Sequence, residues 1–225
     1  MPDLVIDLSH WNTVTDFAAI RASGVVGVIH KCTEGNGYAD PTYDDRTDAA
    51  RAAGLLWGAY HFLRPGDMQA QAKYFVAHAD DTATLLAADH EDSGVSLDDL
   101  KTFLSEVYDL TGQRPVVYSG NVIKEQIGNA RDAELAQYRL WLAQYTSVPS
   151  WPSETWPLWW LWQHTDNGSV PGVNGGVDMD SFNGNAAQLT SEWLGSPPEP
   201  VPPEPETQTV TITITMPKGA TVEVS

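Results

Sequence analysis

Basic residues are scarce in this chain. Twelve Lys and Arg stand against 30 Asp and Glu in 225 residues, a formal net charge of −18 with a sequence pI near 4.4. Polyanions draw most of their affinity for proteins from cations meeting phosphates, so this balance argues against nucleic acid and against an anionic membrane surface as partners. Cysteine is scarcer still. The single Cys32 excludes a disulfide framework and a four-thiolate zinc site, and its flanks, VIHKCTEG, read as the end of a buried strand with Cys32 as a small core residue. No apolar run approaches the roughly 20 residues needed to span a bilayer. The N-terminal MPDLVIDLSHW lacks the basic segment and apolar stretch of a signal peptide. The expectation is a chain made in the cytoplasm, without membrane insertion, that depends on something else for release if it works outside. Also missing are a Gly-rich phosphate loop with Lys, an HExxH pair and a GxSxG elbow. None of the six histidines has another at i, i+3 or i, i+4. Most therefore read as core or supporting residues, and a metal site built from separate strand ends is the alternative.

What is present is a chain able to form a core. Hydrophobic residues make up 42%, so the acidity does not imply disorder, and the length suits one large domain with a small appendage. Short β-rich runs occur at 4–8, 25–30, 56–62, 85–89, 115–118, 139–144 and 158–164. Amphipathic helical stretches separate the early ones. Asp40-Pro41 is a plausible N-cap and first helical position with Gly54 as the stop. Ser96 and Asp99 form a capping-box-like start before Leu100, Phe103, Leu104 and Val107, and Gly112 terminates that run. Strand–helix alternation predicts parallel strands covered by helices, and beyond residue 140 strands follow one another more directly. An α/β barrel whose second half is mostly β fits best.

The carboxylates carry the chemical signal. Asp7 follows LVI at the end of the first strand, Asp89 and Glu91 flank His90 at the end of the fourth, and Asp178 follows Gly-Gly-Val near the last. In barrels the C-terminal ends of parallel strands converge on one mouth, so these acids become neighbours. Asp89 and Glu91 point the same way because side chains alternate with a period of two, which turns His90 away. Acids sharing a partly buried cleft cannot all stay ionised; the least solvated becomes a proton donor, as glycosidic bond cleavage requires. Nine Trp and eight Tyr add faces that could stack on sugar rings, although most such residues fill cores. Tyr60 and Tyr118, at predicted strand ends, are the better contact candidates.

These residues resemble glycoside hydrolase family 25, the Chalaropsis-type lysozymes. The likeness runs from about Asp3 to Phe182 through DLSHWN, HKCTEGNGYADPTY, GAYHFLRP, ADHED, PVVYSG, LWLAQY and LWQHTDNGSVPGVNGGVDMDSF, in order. The resemblance implies a flattened TIM-like barrel of five β/α units plus three strands, with no cofactor. It also implies hydrolysis of the β-1,4 bond between N-acetylmuramic acid and N-acetylglucosamine in bacterial peptidoglycan. By position, Glu91 is the general acid. Asp89 grips the substrate's 2-acetamido group if the substrate assists, whereas Asp178 or Asp89 is the nucleophile if a carboxylate attacks directly. Asp7 and Asp178 otherwise tune the cleft. Tyr60, Tyr118, Trp141, Tyr145, Gln163, Glu34 and Phe62 are the implied substrate contacts. Two rivals belong to other classes, a non-catalytic peptidoglycan-binding barrel and a metal-dependent amidase or deacetylase.

Composition shifts after residue 194. Residues 195–206, GSPPEPVPPEPE, read as an extended linker. Residues 207–225 alternate as a β-hairpin, with Val210, Ile212, Ile214 and Met216 on one face. A lone hairpin is marginal in water, so this one is expected to find a partner: other copies of the tail, its own barrel, or a longer natural chain. The absence of a signal-peptide pattern, the compact unit and the short tail suggest a phage endolysin released through membrane holes, with a bacterial autolysin or an exported contact-dependent toxin as the alternatives.

Overall fold

The computed structural model describes residues 3–79 and 83–195. The chain runs β1 (Asp3–Leu8), β2 (Thr13–Val14), α1 (Phe17–Ala22), β3 (Gly27–Glu34), β4 (Tyr38–Ala39), α2 (Tyr43–Ala52) and β5 (Leu56–Phe62). It continues with α3 (Met68–His78), β6 (Leu85–Asp89), α4 (Leu97–Thr111), β7 (Val116–Ser119), α5 (Asn121–Ile127) and β8 (Leu140–Ala143). The last elements are β9 (Leu161–Gly168), β10 (Val173–Asn174), β11 (Val177–Phe182) and α6 (Ala186–Trp193). Strands β1, β3, β5, β6, β7, β8 and β9 pair in parallel in that order, and β11 closes the barrel antiparallel to both β9 and β1. Five β/α units followed by three strands therefore make a closed eight-stranded barrel, with β4 as an extra strand on β3.

Side-chain alternation divides the core into two layers. Ile6, Leu8, Val28, Trp57 and Ala59 point outward beneath the helices and meet Ile20, Phe75, Phe103 and Ile123. Ile29, Leu85, Ala87, Val116 and Leu161 point into the barrel. Helix α4 shows how sequence places a helix in the outer layer. Ser96 Oγ accepts from Asp99 N at 3.1 Å while Asp99 Oδ2 accepts from Ser96 N at 3.0 Å, closing a capping box, and Gly112 ends the helix at φ +71°. Leu100, Phe103, Leu104 and Val107 are all fully buried, each contributing roughly 1.5–3 kcal/mol of apolar burial. Cys32 is buried in the same layer, as its flanks suggested.

The structure corrects several boundaries. Strand β3 starts at Gly27 and runs on to Glu34, because a bulge between Lys31 and Thr33 lets pairing with β5 continue. Thr42, not Asp40, is the N-cap of α2; Asp40 sits a step earlier, buried, accepting from Thr42 N and His10 N at 2.9 Å each. Strand β9 begins at Leu161, so Trp156, Trp159 and Trp160 lie in the connecting segment, buried. Helix α6 had no expectation. Its Trp193 and Leu189 plug the N-terminal end of the barrel, and a Cβ at Gly27 would lie 2.8 Å from the Trp193 ring, which is why that strand starts with glycine. The linker from residue 196 on and the hairpin expected at 207–225 lie outside the described residues.

Candidate active site

At the C-terminal mouth of the barrel an open cleft of about 290 Å³ collects residues from nearly every strand. Register explains the gathering. Asp7 on β1 stands opposite Asp178 on β11; Phe62 on β5 is beside Asp89 on β6; Asp89 is beside Tyr118 on β7, and Tyr118 beside Trp141 on β8. Asp7, Tyr60, Phe62, Asp89, Glu91, Tyr118, Trp141, Tyr145, Gln163 and Asp178 all line the cleft. Glu34 does not. It stands behind Lys31, whose Nζ it binds, and also accepts from Arg64 Nε at 2.8 Å.

Sequence reasoning missed four residues. Ser9, Trp11 and Lys31 line the cleft, and Asp180 lies buried just beneath it. Trp11 is 84% exposed at the rim, so it is not a core tryptophan. Lys31 is the only cation among the lining residues. Its signal was available: it follows Ile29 by two on the inward face, once the strand is allowed past His30. Asp180 repeats the two-residue spacing of Asp89 and Glu91.

Hydrogen bonds fix the floor of the cleft. Gln163 Nε2 donates to Asp7 Oδ2 at 2.7 Å, and Gln163 Oε1 accepts from the hydroxyls of Tyr118 at 2.8 Å and Tyr145 at 2.9 Å. One amide thus orients an acid and two phenols. Trp141 Nε1 donates to Asp180 Oδ1 at 2.5 Å. His90 turns away from the cleft, as alternation predicts, and is buried with Nε2 against Gln126 Oε1 at 2.9 Å. Asp89 Oδ1 is buried and has no hydrogen-bond partner among the described residues.

The acids are unequal. Burial, and then Asp178, push the Glu91 carboxyl above its ordinary value. Burial followed by Glu91 raises Asp89, while the positive charge of Lys31 pulls it back down. Burial and Asp166 lift Asp178 to about 6. Asp7 is raised by burial, Asp180 and Asp178. Burial thus lifts all four carboxyls above their ordinary values, and Lys31 is the cleft cation that opposes the rise at Asp89; acids set apart by their surroundings in this way are what acid-catalysed bond cleavage uses. Among the described residues no group of three or more His, Cys, Asp and Glu is placed to hold a metal ion.

A sequence profile described as "Glycosyl hydrolases family 25" matches residues 6–173. The chain belongs to that family. It is 31% identical over 203 residues to Lysozyme M1 of Streptomyces globisporus, covering 82% of this chain and 69% of that protein. It is 30% identical over 198 residues to the N,O-diacetylmuramidase of Chalaropsis sp, covering 76% of this chain and 94% of that one. Among solved structures, the bacterial lysozyme from Streptomyces coelicolor superposes with a TM-score of 0.78 at 29% identity, over 85% of this chain and 97% of that one. As a family 25 member the protein is a glycoside hydrolase of the lysozyme type, and peptidoglycan is the polymer this family degrades. The mouth of its barrel is the candidate active site.

Proposed function

We propose that the cleft hydrolyses the β-1,4 bond between N-acetylmuramic acid and N-acetylglucosamine in bacterial peptidoglycan, with Glu91 as general acid and the substrate's own 2-acetamido group as nucleophile. The observation that carries this reading is the Asp89–Glu91 pair at the end of β6. Two residues apart, they share one cleft; burial and Asp178 favour the protonated form of Glu91, Lys31 favours the ionised form of Asp89, and Asp89 Oδ1 is buried without a hydrogen-bond partner among the described residues. An unpaired buried carboxylate oxygen is costly unless something docks on it. An acetamido N–H is a donor of the right kind. Glu91 protonates the leaving oxygen, the acetamido carbonyl oxygen closes on the anomeric carbon, and Asp89 accepts the N–H and balances the charge that develops there. Water then opens the ring, with Glu91 taking its proton. Tyr60, Phe62 and Trp11 offer aromatic surface for the sugar rings.

Analysis of the reducing ends of muropeptides released from defined walls tests the bond assignment. Ends in N-acetylmuramic acid are expected, and ends in N-acetylglucosamine would reject it. Direct attack by Asp178 or Asp89 is the competing mechanism; a covalent glycosyl-enzyme adduct seen by mass spectrometry would establish it over substrate assistance. A role in phage lysis is a finer proposal, tested by expressing the chain inside a susceptible host with and without a membrane-permeabilising partner; lysis only with the partner supports it. Self-association through residues 207–225 is a separate one. Sizing the chain with and without residues 197–225 tests it, and monomers in both would reject it.

A further inference from the structure

Asp180 is wholly buried behind Asp7, at a position where a carboxylate needs explaining. Strand β11 pairs with β1 on one side and β9 on the other, setting Asp180 opposite Val5 and opposite Gln163. Its Oδ1 accepts from Trp141 Nε1, but its Oδ2 receives no N–H from the described residues. Asp7 is its diagonal neighbour across the β1–β11 pair, two residues along β1 from Val5, and the two carboxyls bear on each other electrostatically. Asp7 in turn accepts from Gln163 Nε2 at 2.7 Å.

Charged groups around the pair offer no relief. Asp178 faces it from β11, Asp89 from β6, and Asp3 approaches Asp180 along β1; the phenols of Tyr60 on β5 and Tyr118 on β7 are the other titratable neighbours. None is a cation. Lys31 lines the same cleft, but its charge bears on Asp89. Two neighbouring buried carboxyls with no cation beside them resist carrying two charges at once.

We propose that Asp7 and Asp180 hold one proton between them, carried on Asp7 and donated to Asp180 Oδ2, which makes Asp180 a positioning residue that keeps Asp7 neutral at the mouth of the cleft. Burial raises both acids, in keeping with a retained proton. Two consequences follow for the reaction. Neutral Asp7 cannot serve as a nucleophile. It also spares Asp178, its direct cross-strand neighbour, the repulsion of a second carboxylate, so Asp178 can ionise.

Asn in place of Asp180 separates this from a merely structural role. Its Oδ1 can still accept from Trp141, but its Nδ2 donates to Asp7 and so favours the ionised form of Asp7. The negative charge then moves from the sealed position to the mouth. The test is carboxyl 13C NMR of the full chain labelled at aspartate side chains. At pH 7 one carboxyl with the chemical shift of a protonated acid is expected in wild type and in Asp89→Asn, and the same signal should vanish in both Asp7→Asn and Asp180→Asn. Its survival in Asp180→Asn, or its absence from wild type, would overturn the proposal. The Trp141 indole N–H resonance reports whether each variant keeps its fold, and Asp7→Asn serves if Asp180→Asn does not. A second arm rests on the proposed hydrolysis: the acid limb of the pH–rate profile on purified walls should move up by about half a pH unit or more in Asp180→Asn, because ionised Asp7 resists ionisation of Asp178. An unmoved limb would remove the positioning role. The NMR arm needs no substrate, so an inactive wild type would count against the proposed function and leave the shared proton to be judged on its own signal.

Discussion

Replacing Asp178 by Asn should stabilise the protein, and the gain should grow with pH. Burial, then Asp166, holds the folded-state Asp178 carboxyl at about 6, against 3.8 for the ordinary group. A folded value above the unfolded one means the native state binds the proton more tightly. The group's contribution is therefore fully present below 3.8 and is lost as pH rises through about 6. Above that range the native state carries a poorly solvated charge that Asn lacks. The whole gap corresponds to about 3 kcal/mol. Because the side chain is only part-buried and solvent screens it, about 1–1.5 kcal/mol is the working figure. For a barrel of this size each kcal/mol moves Tm by roughly 2–4 °C. Differential scanning calorimetry at matched ionic strength should find the two proteins close together near pH 3.5, with the variant roughly 2–6 °C higher at pH 7.5. His30 and His61, held at about 4 by burial, act in the opposite sense. Their contribution is present above 6.5 and lost as pH falls towards 4, but it is common to both proteins and cancels in the difference. A Tm difference independent of pH would refute the reasoning. Activity should fall in the same variant, since a strained charge at a working site is kept for function at some expense of stability.

Gln163→Leu should lose about 3–4 kcal/mol in urea unfolding, because it leaves Asp7 and the buried Tyr118 hydroxyl unpaired while Tyr145 can turn to water; a loss below about 1 kcal/mol would contradict the network. Trp193→Ala should cost about 3–5 kcal/mol by opening the plugged end of the barrel. A value under about 2 kcal/mol would show that α6 packs there only loosely. With a net charge of −18 against a wall that is itself often anionic, hydrolysis should improve with modest added salt, and a steep loss between low and physiological salt would contradict that.

Much of this anatomy was legible in the sequence, for reasons that differ by residue. The α4 boundaries could be read because Ser96, Asp99 and Gly112 act locally, through backbone groups a few residues away. Asp7 and Asp89 could be read because parallel strands must deliver their C-termini to one side, whatever their separation along the chain, whereas Asp178 reaches the same mouth from the start of the antiparallel β11. Lys31 was missed because the β-rich run ends at His30, one residue short, although alternation from Ile29 already turns it inward. What lay beyond it was less legible, since nothing in VIHKCTEG marks the bulge after Lys31 that carries the strand on to Glu34. Helix α6 was hidden because its role is tertiary: Trp193 matters through Gly27 and Gly58, more than 130 residues upstream. Asp180 was hidden by the acidity of the chain, in which one more carboxylate carries no signal until its burial is known.

Glu91 is placed to deliver the proton that breaks the glycosidic bond, and its amide variant puts that role to the test. Purified peptidoglycan is incubated with wild type and with Glu91→Gln, and the rate of reducing-end release is measured across pH while calorimetry follows the fold. A loss of about 10²–10⁴-fold is expected at every pH, the range a general acid supplies, with Tm unchanged or raised. Residual turnover within about tenfold of wild type, from a variant that is folded, would contradict it.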